Sequence, residues 1–112
     1  MFCAVDMSLL NDIYNERLNS LKPFKYRYTF DKPNPHMLAK TARRWILDKA
    51  ISMCMDNLQK DPIDIIDDMI IEYEVILLQV DTNEANIVFD NAVKELKEIK
   101  GELEYRINRR RK

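Results

Sequence analysis

Between residues 9 and 21 the apolar positions Leu9, Leu10, Ile13, Tyr14, Leu18 and Leu21 recur three or four apart, and Asn11, Asp12, Asn15, Glu16 and Asn19 fill the other side. This spacing predicts an amphipathic helix, with Ser8 as its N-cap. The period then changes. In "KPFKYRYTFDKPN", residues 22–34, Phe24, Tyr26, Tyr28 and Phe30 alternate with Lys25, Arg27 and Thr29. Alternation of this kind marks an extended segment. Pro23, Pro33 and Pro35 bracket it, and each disfavours helix at the residue before it.

A second helix is predicted from Pro35, with Asn34 as cap and the proline in the first helical position, where its missing N–H costs nothing. It extends to about residue 59. Its first half is amphipathic, with Leu38, Ala42 and Trp45 on one side and Lys40, Arg43 and Arg44 on another. In its second half Trp45, Ile46, Leu47, Ala50, Ile51, Met53, Cys54, Met55 and Leu58 go round the whole wheel. A helix apolar on every side is central in a bundle or shared between subunits.

The third helix opens at Asp61-Pro62 and runs to about residue 80. Ile65, Ile66, Met69, Ile70, Tyr73, Ile76, Leu77 and Val80 form its core face. Opposite them lies a second apolar stripe, Ile71, Val75 and Leu78, flanked by acids. Such a stripe is a patch that monomers seldom leave in water. The fourth helix, about 83–106, follows "DTNE", in which Asp81 and Glu84 have capping-box spacing. Ala85, Phe89, Ala92, Leu96, Ile99 and Leu103 then repeat at alternating steps of four and three, a heptad seam. Lys94, Lys97 and Lys100 interleave with Glu95, Glu98 and Glu102, read as solvent-facing pairs of ~0.3–0.5 kcal/mol each. Gly101 weakens this helix by about 1 kcal/mol relative to Ala, so fraying is expected beyond it.

The pattern predicts a single all-α domain over residues 1–112, a four-helix bundle-like fold. An aromatic strap at 22–34 joins the first two helices, and a basic tail occupies 106–112. A single glycine among 112 residues agrees, since turn-rich β architectures use many more. The strap's expected fate is to lay its four rings on the helices and leave its cations in water.

Charge adds what periodicity leaves out. The net charge is −1, yet residues 17–49 hold nine bases against two acids, and residues 50–104 hold fourteen acids against four bases. The first sixteen residues are acidic and the last eight basic. Such blocks neutralise one another inside the fold or face partners of opposite sign.

Candidate chemistry is sparse. Cys3 and Cys54 have no second Cys or His at ligand spacing, so neither a zinc site nor a disulfide framework is expected, and a reducing, cytoplasmic setting is. "MFCAV" is too short for a signal-peptide core and runs into Asp6. Beyond it the longest apolar run is Val75–Leu78, so no membrane span is expected. His36, the one histidine, sits at a helix start beside Pro35 and reads as a surface residue. One glycine rules out a glycine-rich phosphate loop. No cofactor is indicated.

Three functions fit to different degrees. The leading expectation is a non-enzymatic interaction protein that forms a homodimer and binds a protein partner through Ile71, Val75 and Leu78. Its Ile, Asn, Lys and Asp richness suggests a small bacterial, phage or mobile-element accessory or inhibitor protein. The alternative is nucleic-acid binding through Lys25, Arg27, Lys40, Arg43, Arg44, Arg109, Arg110 and Arg111, with the rings Phe24, Tyr26, Tyr28 and Phe30 as stacking surfaces. The acidic half of the chain speaks against it. The third is an acidic-helix magnesium enzyme. "DIIDDMIIE", Asp64–Glu72, distantly resembles the E-E-x-x-E string of MazG-type nucleotide pyrophosphohydrolases, which is answered by E-x-x-D. Here the string is D-D-x-x-x-E, and the fourth helix, with Glu84 and Asp90, offers no E-x-x-D. A solvated acidic face accounts for it better.

Overall fold

A computed structural model describes residues 4–21 and 35–110, with side chains from Asp6 onward. The aromatic strap, with Phe24, Lys25, Tyr26, Arg27, Tyr28 and Phe30, lies outside the described residues, as does Arg111. Four helices account for nearly all of the described chain: α1 (Ala4–Ser20), α2 (Pro35–Asp56), α3 (Pro62–Gln79) and α4 (Asn83–Arg110). No strand occurs among the described residues. The fold is all-α, with bundle-like packing.

Of the expected caps, Asp61 holds and Ser8 and Asp81 do not. α1 begins at Ala4, so Ser8 lies inside the helix rather than at its start. α2 begins at Pro35 as expected and ends at Asp56, three residues before the expected end at about 59. α3 starts as read: the Asp61 side chain accepts from the Ile63 N–H at 3.0 Å, and Pro62 opens the helix. At α4 the cap is Thr82 rather than Asp81, its hydroxyl accepting from the Ala85 N–H at 3.2 Å. α4 does not fray at Gly101 but continues to Arg110, 28 residues or roughly 42 Å at 1.5 Å per residue.

That length makes α4 the spine. It packs against all three other helices, most extensively against α2 and α3. α3 runs antiparallel to it, because Lys97 reaches Glu74 while Lys100 reaches back to Asp67. The heptad seam is the contact line: Ala92, Leu96, Ile99 and Leu103 are completely buried, and Ile107 extends the row. They meet Leu10 and Ile13 of α1, Ile46, Leu47 and Ala50 of α2, and Ile66 and Met69 of α3 in one core. At about 1.5–3 kcal/mol per fully buried large aliphatic side chain, this cluster is the main source of stability.

An aromatic triad closes the α2–α3–α4 junction. Trp45 meets Tyr73 edge-on at 5.7 Å and Phe89 edge-on at 6.3 Å, and Tyr73 stacks on Phe89 at 6.0 Å. The Lys49 ammonium sits 5.5 Å from the Tyr73 ring centre and 5.7 Å from that of Trp45, a cation–π contact at the rim.

Candidate functional site

Beside the apolar seam, α4 carries a second row. Val88, Ala92, Glu95, Ile99, Glu102 and Arg106 follow the same four-three spacing. This row turns a carboxylate into the core, and Glu95 is fully buried. Its expected place in a solvent-facing pair is therefore corrected: it shares the inner face with Ala92 and Ile99. Burial of a carboxylate requires partners. Arg17 of α1 supplies a fork, donating from Nε at 2.5 Å and from Nη2 at 2.6 Å to the two carboxylate oxygens. Arg43 of α2 donates from Nη1 to Glu95 at 3.0 Å and from Nε to Asn91 at 3.1 Å. Glu98 bridges the same two arginines nearer the surface. Among the described residues, no buried side-chain nitrogen or oxygen lacks a partner.

Two cations that the sequence offers to outside partners are committed within the fold, one of them in this cluster. Arg43, read as a binding residue, is turned inward and committed to Glu95, Glu98 and Asn91. Arg44 donates to the Leu21 carbonyl at 3.1 Å, satisfying a peptide oxygen just beyond the C-terminus of α1, where a cation is favoured by the helix dipole. Lys40 lies half-buried near the start of α2. Part of the basic 17–49 block thus meets the acids of α4 within the fold.

The outward-facing features are elsewhere. Ile71, Val75 and Leu78 lie on the side of α3 opposite its core face and are 63%, 49% and 86% exposed. Preceding this stripe on the exposed side of α3 are Asp64, Asp68 and Glu72, four residues apart and exposed. Along one edge of the stripe Asp67 and Glu74 are held by Lys100 at 2.5 Å and Lys97 at 3.7 Å. Met55 and Leu58, from the all-round apolar part of the second helical segment, are also exposed, at the α2 end.

At the far end of α4, Tyr105, Arg106, Arg109 and Arg110 line an open cleft of about 450 Å³ together with Leu9 and Glu102. Arg109 lies over the Tyr105 ring at 5.7 Å. Arg106 is committed, donating to both carboxylate oxygens of Glu16 at 2.8 Å and to Glu102 at 2.9 Å. These bonds hold the Arg106 guanidinium above its ordinary pKa and the Glu16 carboxyl below its own. Sequence reasoning placed Arg109 and Arg110 in a basic tail and did not foresee the exposed Tyr105 beside them; the i, i+4 spacing of Tyr105 and Arg109 was the available signal.

Of the acids weighed as metal ligands, Asp67 is paired with Lys100 and Asp90 with Lys94. Among the described residues, no three His, Cys, Asp or Glu side chains converge on a common point that could hold a metal ion. Cys54 is buried, and desolvation, helped by nearby Asp61, pushes its thiol up to about 12. No helix of the described residues is long and apolar enough to cross a membrane. Compared with protein-family models, with curated proteins and with solved structures, the chain has no significant match in any of the three.

Proposed function

We propose that the protein is a non-enzymatic interaction module that binds a protein partner through the outer face of α3. The supporting observation is the exposure of Ile71, Val75 and Leu78 in one row on the side of α3 opposite its core. Covering each of these side chains is worth up to about 1.5–3 kcal/mol, so the row can supply the apolar centre of a larger contact. The exposed Met55 and Leu58 at the end of α2 support, separately, association of two copies through that end. A cytoplasmic accessory or inhibitor protein of bacterial or phage type remains the setting that the composition suggests.

The test is co-purification from nuclease-treated native lysate, comparing the wild type with Ile71→Ser/Val75→Ser/Leu78→Ser. A stoichiometric protein captured by the wild type and lost by the variant, with unchanged circular dichroism, is the expected result. Absence of any specific protein, or its retention by the variant, defeats the reading. Light scattering at two concentrations tests the dimer: a single species at the monomer mass of 13.4 kDa at both concentrations removes it.

A second reading, nucleic-acid binding, is supported by the Tyr105–Arg109–Arg110 cleft, where a ring for stacking and two exposed cations stand together. The inward commitment of Arg43 and the presence of Glu102 in the cleft weigh against it. A gel shift at low salt with single- and double-stranded DNA and RNA decides it, and no shift with any of them removes it.

A further inference from the structure

The outer face of α3 carries a charge pattern as well as an apolar row. From Pro62 to Gln79 the helix holds five acids and no base. Two of the acids, Asp67 and Glu74, are answered by lysines of α4. The other three, Asp64, Asp68 and Glu72, follow one another at i, i+4, i+8 on the exposed side of the N-terminal half of α3 and lead into Ile71, Val75 and Leu78. No ion pair reaches these three among the described residues. Glu72 acts on Lys49 only through space, and Lys49 is itself engaged over the rings of Tyr73 and Trp45.

We infer that this face docks a cationic amphipathic helix of a partner protein, one that lays an apolar row on Ile71, Val75 and Leu78 and a row of Lys or Arg along Asp64, Asp68 and Glu72. The acids project from the N-terminal half of the outer face and the apolar residues from its C-terminal half, meeting at Ile71 and Glu72, so one partner helix lying along α3 can cover both in succession. A second copy of α3 is the wrong occupant. In either two-fold arrangement it brings five further carboxylates and no cation to the contact, and like charges in register are repelled. A neutral apolar helix would cover the stripe but desolvate the acidic row without compensation. A cationic helix satisfies both.

This inference rests on the partner-binding reading above and narrows it to a class. The test uses the full chain and two designed helix-forming peptides of α3's length, 18 residues. Both carry the same leucine row; on the same face one continues it with lysines and the other with glutamates. By fluorescence anisotropy the lysine peptide binds at least about ten-fold more tightly than the glutamate peptide, and the difference shrinks as salt is raised. Asp68→Lys/Glu72→Lys inverts the preference, while Asp64 is left in place because it favours the positive end of α3. Ile71→Ser/Val75→Ser/Leu78→Ser loses both peptides. Circular dichroism confirms that each variant is folded. Equal binding of the two peptides, or a preference that survives charge inversion, overturns the cationic class while leaving apolar docking intact. Retention of the lysate partner by the stripe variant fails the parent reading instead. A dimer that the stripe variant converts to monomer overturns the inference too, since a second copy then covers the face.

Discussion

Glu95 shows how one buried charge organises its surroundings. Two arginines from different helices converge on a carboxylate with no solvent exposure. A buried ion cluster gives little net stability over an apolar replacement, yet removing one member leaves charges that the interior cannot solvate. Glu95→Gln keeps the shape but turns an amide toward two guanidinium groups. We expect it to lower the unfolding free energy by about 3 kcal/mol in urea titration. The double variant with Arg17→Met should lose less than the sum of the single losses, because the two residues share one interaction. A second residue-scale consequence concerns Cys54. With its thiol held at about 12, almost no thiolate exists at neutral pH. In a Cys3→Ser background, labelling by a thiol reagent at pH 7 should therefore proceed only as fast as the protein opens. Rapid labelling under native conditions would show that Cys54 is not enclosed as described.

Helices were read from the sequence more faithfully than their ends. The four-three repeat on α4 located the buried row Ala92, Leu96, Ile99 and Leu103 because burial follows period directly. Asp61-Pro62 was legible because a cap and a proline reinforce each other. Ser8 misled because the helix extends upstream of it, where Met7 already packs against the core and Asp6 sits in the first turn. Asp81 and Thr82 are both competent caps one residue apart, and local chemistry does not choose between them. The second row through Glu95, Glu102 and Arg106 has the same spacing as the apolar seam, but charged side chains at those positions read as surface until their partners are known. Those partners, Arg17, Arg43 and Glu16, come from other helices, so no local pattern announces them. The exposed stripe Ile71, Val75 and Leu78 was legible, since apolar residues opposite a complete core face have nothing left within the helix to cover them. At Gly101 the helix continues despite the weak residue, and a methyl group there would meet nothing within 4 Å. Gly101→Ala should accordingly stabilise the protein by about 1 kcal/mol, measured as a higher urea midpoint at unchanged slope.

Across the whole molecule the charge blocks resolve into directed pairings. Among the described residues, Arg17 and Arg43 of the 17–49 block pair with α4, and α4 reaches α3 through Lys97 and Lys100. The pairing of Arg106 with Glu16 fastens α1 to the far half of α4 and lowers the Glu16 pKa. A carboxyl with a lowered folded value contributes stability above its unfolded value, about 4.3, and loses it as the pH falls through the folded value. Acid titration of the wild type should therefore show a loss of stability below about pH 4.3 that is smaller in Glu16→Gln, with the two proteins differing most near neutral pH. Glu16 is exposed, so the effect should also diminish in high salt. On α3 three acids without an ion pair and a bare apolar row share one outer surface.

The Glu95 cluster also sets an order of events in time. Arg17 and Glu95 are 78 residues apart in the chain, and Arg43 and Glu95 are 52 apart. α3 and α4, by contrast, are joined by three residues and can pair as a hairpin before the rest arrives. Closing the long loops costs chain entropy that the hairpin does not have to meet. The arginine–glutamate contacts should then form after the folding barrier has been crossed. In stopped-flow experiments Arg17→Met should speed unfolding and leave refolding nearly unchanged, whereas Met69→Ala, in the α3–α4 contact, should slow refolding. A charge hidden at the centre of the native bundle would thus act as a latch, setting how long the folded molecule lasts rather than how fast it forms.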